Sequence, residues 1–223
     1  MAKPGARAAR ARPGQDTRAR LVEAAIETLK AEGYAGASAR AIARAAGLNQ
    51  ALIFYYFGNL TGLLLAALDQ TSARRLARYR EALAGVQAPG ELLRVARELY
   101  REDLESGHIT VLAEMISASS SVPELKAEIV ARIEPWIQLA EGAVGRVLHR
   151  SPFRGLLPAR DLAFAIVAFY LGAELLTHLD GDHTRTQALF DTAARTLPLA
   201  EPFLGPSARE SGEAIDDTGP SPC

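Results

Sequence analysis

The stretch ARAIARAAGLNQALIFYYF at residues 39–57 decides the fold of the N-terminal part of this chain. Ser38 precedes it and is a good N-cap residue, so a short helix is expected to begin just after it. Gly47 suits the left-handed residue that ends a helix. Asn49 is a second N-cap residue, and it predicts another short helix that ends at Phe57.

The two predicted helices, over 39–46 and about 50–57, are joined by a turn of helix-turn-helix length. In that motif the second helix enters the major groove of DNA. Ile53 and Phe57 lie four residues apart and are expected to pack inward. The spacing predicts that Gln50, Ala51, Leu52 and Tyr55 face outward. Spacing alone also fits an ordinary helical hairpin.

The charge is distributed unevenly along the 223 residues. Residues 1–57 carry a formal charge of +5, whereas residues 58–223 carry −6. A basic head on an acidic body indicates that only the head meets a polyanion such as DNA. Residues 1–14 are expected to form a flexible basic arm, for which an uninvolved solvated tail is the alternative.

Helical periodicity continues along the rest of the chain, and no alternating strand pattern appears, so the predicted fold class is all-α. We expect a three-helix DNA-binding domain over 15–60, a helical regulatory and dimerisation domain over 61–204, and a disordered tail over 205–223. The expected helices after the motif are 60–83, 89–107, 108–119, one from about 124 to 150 with a kink at Pro135, 158–180, and one from 184 that ends by Pro198 or Pro202.

Several other classes of protein are disfavoured by the composition. Cys223 is the only cysteine, which excludes a disulfide framework and a cysteine-ligated zinc site. Asp180, Asp182 and His183 suggest a turn more than a metal site, so we expect no metal and no cofactor. No enzyme motif is present. No apolar run approaches the ~20 residues of a membrane helix, and the N-terminus is not a signal peptide; we therefore expect a cytoplasmic protein without membrane contact.

Residues 17–69 resemble the DNA-binding domain of the TetR (tetracycline-repressor) family of transcriptional regulators. The resemblance runs through Ala24-Ala25, Gly33-Tyr34, Ser38, Ile42-Ala43, Ala46-Gly47, Tyr56-Phe57 and Leu63-Leu64. It implies a homodimeric repressor that binds an operator in double-stranded DNA and whose C-terminal domain binds a small-molecule effector. The expected DNA-binding residues are Arg7, Arg10, Arg12, Ser38, Arg40, Arg44, Asn49, Gln50, Ala51, Leu52, Tyr55 and Tyr56.

Three positions depart from the family pattern. Phe54 stands where a tyrosine usually contacts phosphate, Leu60 where a lysine is usual, and Leu52 where a threonine is common. Tyr55, Tyr56 and the arginine-rich arm are candidate replacements for these backbone contacts. The two leucines are expected to pack locally.

The C-terminal half offers candidate residues for two further surfaces. The expected ligand-binding residues are Leu99, Tyr100, Met115, Trp136, Phe169, Tyr170, Glu174 and His178. For Glu174, inside a nearly apolar helix, the open alternatives are a partner in Tyr170 or His178 and a polar group of a ligand. The expected dimer-interface residues are Leu189, Phe190, Ala193 and Leu197, in the last two helices. A helical small-molecule-binding protein or enzyme without DNA activity remains the alternative function.

Overall fold

Local capping groups set the helix boundaries in the N-terminal part of the chain. The Ser38 hydroxyl accepts a hydrogen bond from Ala41 N (3.1 Å), and Gly47 ends that helix in the left-handed conformation (φ 63°). The Asn59 side chain accepts from Gly62 N (2.7 Å) at the start of the long helix that follows. These caps satisfy backbone groups that a helix end leaves without an intrahelical partner.

The computed structural model describes residues 13–106, 108–149, 151 and 154–204. Within these ranges the regular structure consists of nine α-helices, which confirms the all-α fold class. They are α1 (Pro13–Gly36), α2 (Ala39–Ala46), α3 (Ala51–Phe57), α4 (Leu60–Leu83), α5 (Pro89–Ser106), α6 (His108–Ala118), α7 (Glu124–His149), α8 (Ala159–Asp180) and α9 (Thr184–Leu204). The predicted arm, with Arg7, Arg10 and Arg12, and the predicted tail over 205–223 lie outside the described residues.

One buried cluster ties the first three helices to the rest of the chain. It joins Leu21 of α1, Ile42 of α2 and Ile53 of α3 to Leu68 of α4 and Met115 of α6, all of them nearly inaccessible to solvent. A second cluster lies between the end of α4, α5 and α7. The helix-turn-helix is therefore packed directly on the helices that form the larger half.

The predicted end of the last helix is wrong. Helix α9 continues through Pro198 and Pro202 to Leu204, and α7 likewise contains Pro135. A proline removes one hydrogen bond to the carbonyl four residues earlier. For Pro198 and Pro135 that residue is exposed Ala194 and exposed Ala131, where water can satisfy the carbonyl. A proline at such a place does not stop a helix that packing holds on its other face.

Candidate nucleic-acid interface and internal cavity

A side chain in the turn between α2 and α3 forms a hydrogen bond with the first residue of α3. The Asn49 side chain accepts a hydrogen bond from Ala51 N (2.8 Å), while Leu52 N and Ile53 N bond to the carbonyls three residues earlier. The helix begins at Ala51, one residue later than the predicted Gln50. The N-cap position is therefore Gln50 and not the predicted Asn49, although the Asn49 side chain still satisfies the first N–H of the helix.

Most of the predicted DNA-binding side chains share one exposed surface. The exposed residues are Ser38, Arg40, Arg44, Asn49, Gln50, Ala51 and Tyr55, and the Tyr55 side chain is 78% exposed. Gln50 and Tyr55 offer polar groups that can contact base edges or phosphate. This surface has the composition and the helix placement that major-groove binding requires.

Two of the predicted DNA-binding residues are half-buried. Leu52 packs against the core, which agrees with the expected local packing of the two leucines and contradicts the prediction that Leu52 faces outward. Tyr56 is also half-buried there, with its ring edge-on to Tyr55 at 4.9 Å between centroids. Leu60 packs on the same cluster, as the sequence analysis expects.

Two arginines that the sequence analysis did not single out hold this surface in place. Arg20 of α1 donates to Ala46 O (2.8 Å), a carbonyl at the end of α2. The Arg18 guanidinium lies 5.0 Å from the centroid of the Phe57 ring, at the end of α3. Both act from α1, and they fix the angle at which α2 and α3 leave it.

Helices α4 to α8 enclose a cavity of about 130 Å³. An engineered apolar cavity of about 150 Å³ holds benzene, so this one can hold a group of similar size. Most of its wall is aliphatic, including Leu68, Leu99, Leu112, Ile133, Leu139, Val144 and Leu171, and its polar wall consists of Ser72, Arg75, Tyr79, His108, Arg132, Trp136, Tyr170 and Glu174. Such a mostly apolar wall with a few polar groups is typical of small-molecule sites.

The predicted ligand-binding set falls into three groups. Leu99, Trp136, Tyr170 and Glu174 line the cavity. Tyr100 and Met115 are buried in the packed interior and are not part of this wall. Phe169, on the outer side of α8, and His178, near the end of this helix, are both exposed and do not line the cavity, so their assignment is wrong. Helical periodicity groups residues by face but does not say which face meets the neighbouring helices.

At the polar end of the cavity one guanidinium meets two carboxylates. Arg75 Nε donates to Asp103 Oδ1 (2.7 Å), and its Nη2 contacts Asp103 Oδ2 and donates to Glu174 Oε1 (2.8 Å). The Tyr79 hydroxyl donates to Asp103, and it lies 2.7 Å from the Tyr170 hydroxyl. Burial disfavours the charge on Arg75, but the hydrogen bonds that it donates to Asp103 and the charge of Glu174 outweigh this effect and raise the pKa of Arg75.

The partner of Glu174 is therefore Arg75, on α4, and neither Tyr170 nor His178. Sequence reasoning missed Arg75, Tyr79 and Asp103, because nothing local marks them: they lie on two other helices. Burial raises the pKa of Glu174 well above its ordinary range, although the charge of Arg75 opposes the shift.

His108 and Trp136 complete the polar wall. His108 Nδ1 lies 2.8 Å from the Thr71 hydroxyl, and Trp136 Nε1 donates to Ser72 (3.0 Å). Burial, assisted by the charge of Arg75, lowers the pKa of His108 to about 3. The imidazole is therefore neutral at physiological pH and adds no positive charge to the cavity.

The outer face of α8 is an exposed apolar stripe. Phe164 is 60% exposed, Phe169 53%, Leu176 66% and Leu179 79%. By length and composition alone, α8 could cross a membrane. The longest uninterrupted apolar run in the sequence is nevertheless too short to indicate a membrane helix. Its opposite face, however, packs on α7 and carries Glu174 into the ion pair with Arg75.

The predicted dimer residues of α9 are divided between two environments. Phe190 is buried against Tyr100 of its own chain (5.5 Å between ring centroids), so its assignment to an intermolecular surface is wrong. Leu189 is 46% exposed, and Ala193 and Leu197 are half-buried. The apolar surface without an intramolecular partner lies mainly on α8.

Comparison with known proteins gives a consistent picture. Residues 21–67 match the family described as "Bacterial regulatory proteins, tetR family". The chain is 29% identical over 112 residues to an uncharacterized HTH-type transcriptional regulator of Mycobacterium tuberculosis, a match that covers 50% of this chain and 57% of that relative. This chain thus spans little more than half of that relative's length.

Two solved structures share the architecture over most of the chain. A TetR transcriptional regulator from Chloroflexus aurantiacus J-10-FL superposes with a TM-score of 0.66 and 26% identity, covering 84% of this chain and 97% of that one. The multidrug binding protein EbrR, complexed with imidazole, superposes with a TM-score of 0.56 and 28% identity, covering 80% and 93%.

Proposed function

Because residues 21–67 match the tetR family of bacterial regulatory proteins and the fold agrees with that of TetR regulators, we propose that this chain is a ligand-responsive repressor of that family. It binds a pseudo-palindromic operator as a homodimer, and a small apolar effector releases it. The observation that carries the proposal is the presence in one chain of an exposed recognition helix and an internal apolar cavity. The two are joined by a continuous core.

The DNA-binding part of the proposal rests on the exposed side chains of α2 and α3. Gln50 can form two hydrogen bonds with adenine, and Tyr55, one turn further, can reach phosphate or a thymine methyl group. Arg40 and Arg44 are exposed on α2, where they can contact the phosphate backbone of the DNA. The arm residues Arg7, Arg10 and Arg12 would add sequence-independent affinity that falls as salt increases.

The homodimer part rests on the apolar stripe of α8. Exposed apolar patches of this kind mark interaction surfaces, and two copies related by a twofold axis could pack α8 and α9 as a four-helix bundle. Such a dimer presents two recognition helices to two half-sites. The proposed division is therefore a DNA-binding domain over 15–60 and a regulatory and dimerisation domain over 61–204. Because its target is chromosomal DNA, we propose that the protein acts in the cytoplasm.

The effector part rests on the cavity and on its place beside the DNA-binding helices. EbrR is described as a multidrug binding protein, which supports a small-molecule role for the equivalent region here. An effector acts only through its differential affinity for the two arrangements of the dimer, typically about 1–3 kcal/mol.

Selection of bound sequences from random double-stranded DNA with the full-length chain tests this function. The expected result is a pair of inverted half-sites, bound with a slope of affinity against salt that indicates several phosphate contacts. Failure to enrich any sequence, with the protein folded, would instead favour a helical small-molecule-binding protein or enzyme without DNA activity.

A further inference from the structure

We infer that the cavity selects lipophilic monocations, whose cationic nitrogen lies beside Glu174 and whose apolar part lies among the aliphatic side chains. This inference rests on the proposed function, in which the cavity is the effector site. It names the chemical class of the effector. It follows from the charged groups that face the cavity and from the ion-pair partners of those groups.

The positive charge of Arg75 is already neutralised within the wall. Asp103 accepts hydrogen bonds from two nitrogens of that guanidinium, and it is not itself part of the cavity lining. The Arg75 guanidinium also stacks near Trp136 and Tyr79, with its central carbon 5.2 and 5.5 Å from their ring centroids. Glu174 is therefore a surplus acid, and it is the carboxylate that lines the cavity.

The other charged and titratable groups of the wall do not change this balance. Arg132 of α7 pairs with Asp69 (2.7 Å) and with Glu128 (2.6 Å), so it too is matched by two carboxylates. His108 of α6 is neutral. Burial also raises the pKa of the phenols of Tyr79 and Tyr170, which keeps them protonated. The lining itself has two arginines and one carboxylate, Glu174, but with their ion-pair partners included the two arginines are matched by four carboxylates, Asp103, Glu174, Asp69 and Glu128.

In the empty cavity a proton neutralises the negative charge of Glu174, and a bound cation can take its place. Burial and the nearby Asp103 carboxylate raise the pKa of Glu174, so in the empty cavity this carboxyl takes up a proton more readily than an exposed glutamate does. When an ammonium group arrives, the carboxyl releases its proton to solvent and the ammonium donates a hydrogen bond to the carboxylate. A ligand carboxylate would instead face Glu174 and compete with it for Arg75, which like-charge repulsion and desolvation oppose.

The volume and the aliphatic wall of the cavity determine the size and the polarity of the rest of the ligand. About 130 Å³ admits a single ring or a short alkyl chain. The remaining wall is formed by side chains such as Leu99, Ile133 and Leu139, which offer no hydrogen bonds. The expected ligand therefore has one cationic group and otherwise apolar surface.

Matched probes of three charges test the inference. 2-Phenylethylamine, 2-phenylethanol and phenylacetate have one scaffold, and hexylamine, hexanol and hexanoate repeat the series without a ring. Binding to the full-length protein is followed by the fluorescence of Trp136, the only tryptophan in the chain, and by calorimetry. We expect each amine to bind about tenfold or more tighter than its alcohol, and each carboxylate to bind weakest.

The variant Glu174→Gln keeps the size of the side chain and removes its charge. The amine preference should disappear in this variant while the alcohols keep their affinity. Glu134→Gln is the matched control, since Glu134 lies on α7 with Arg160 as its partner and is not part of the cavity lining; it should keep the full preference. Thermal unfolding of each variant establishes that it is folded.

The outcomes separate the charge inference from the proposed effector site. Alcohols that bind as tightly as amines, or carboxylates that bind tightest, would overturn the inference and leave the cavity as an effector site. An amine preference that persists in Glu174→Gln would overturn it as well. If none of the six probes binds, both the inference and the cavity's role as an effector site are contradicted, while operator binding is judged separately.

Discussion

Individual residues of the helix-turn-helix have separable tasks. Ser38, Gly47 and Asn49 shape the backbone through caps and a left-handed turn, whereas Gln50 is exposed at the start of α3. These shaping residues are predictable from the sequence, because capping depends on neighbours within a few positions. Arg75 and Asp103 are not predictable in this way, because 28 positions separate the two ends of their ion pair.

The first prediction concerns Gln50. Replacing it with alanine removes the hydrogen bonds that we propose it forms with a base, and it disturbs no cap, since the Gln50 side chain caps no backbone group in α3. We expect operator affinity to fall by about 1–3 kcal/mol, with relaxed specificity at one position of each half-site. Binding measured against a set of single-base operator variants checks this. Gln138→Ala, an exposed glutamine of α7, should change neither quantity.

The second prediction concerns the buried His108. Its pKa is lowered from 6.5 to about 3, first by burial and then by the charge of Arg75. Between those values the unfolded chain binds a proton that the folded chain does not. The contribution of this histidine to stability is therefore present above about pH 6.5 and is lost as the pH falls toward 3.

Urea unfolding at pH 7.5 and at pH 5 measures this effect. The free energy of unfolding of the unmodified chain should fall on acidification by more than that of His108→Asn, in which the amide can still bond to Thr71. His149→Asn, an exposed position near the end of α7, should behave as the unmodified chain does. Equal pH dependence in His108→Asn would show that His108 is not responsible.

At the scale of elements, α6 connects the cavity to the DNA-binding helices. His108 and Leu112 on α6 line the cavity, and Glu114 accepts a hydrogen bond from Tyr34 N (2.8 Å), at the end of α1. Gly33 just before it breaks α1 with a φ of 67°, so this N–H has left the helical ladder and Glu114 satisfies it instead. This bond links α6 to the end of α1, so we expect a shift of α6 to be transmitted to α1.

The third prediction follows from this connection. In Glu114→Ala the cavity wall is unchanged, so an effector amine should bind with nearly the same affinity. The loss of operator affinity that the amine causes should become smaller, because one of the contacts between α6 and α1 is missing. Titrations of operator binding at several amine concentrations measure the coupling. Ser117→Ala, exposed on the same helix, is the control and should keep it.

The extent to which each element could be predicted depends on how local its signal is. The bounds of α2 and α4 agree with the prediction, and Gly181 ends α8 as a left-handed residue. The end of α9 does not agree, because Pro198 and Pro202 are helix stops on local grounds alone, whereas this helix packs on α5 and continues to Leu204. Which residues line the cavity depends on how α8 is rotated against α7, and periodicity leaves that angle open.

At the scale of the whole molecule, the unpaired apolar stripe on α8 is the feature that a monomer does not explain. Buried Glu174 and exposed Leu176 lie on opposite sides of this helix. One side therefore faces the cavity, and the other is the surface that we propose to pair with a second copy of the chain. Pairing two copies through α8 would place the cavity close to the dimer interface, so a ligand that moves α8 could alter the spacing of the two DNA-binding domains.

The fourth prediction tests that arrangement. Leu176 is 66% exposed on α8, so a glutamate there costs a monomer little but would place two charges in the proposed apolar interface. We expect Leu176→Glu to sediment as a monomer at concentrations where the unmodified chain is a dimer, and its operator affinity to fall because each half-site is then bound alone. Leu156→Glu is the matched control, since Leu156 is 72% exposed and lies before α8; it should remain dimeric. If Leu176→Glu is also a dimer, with unchanged operator affinity, the interface lies elsewhere on the molecule.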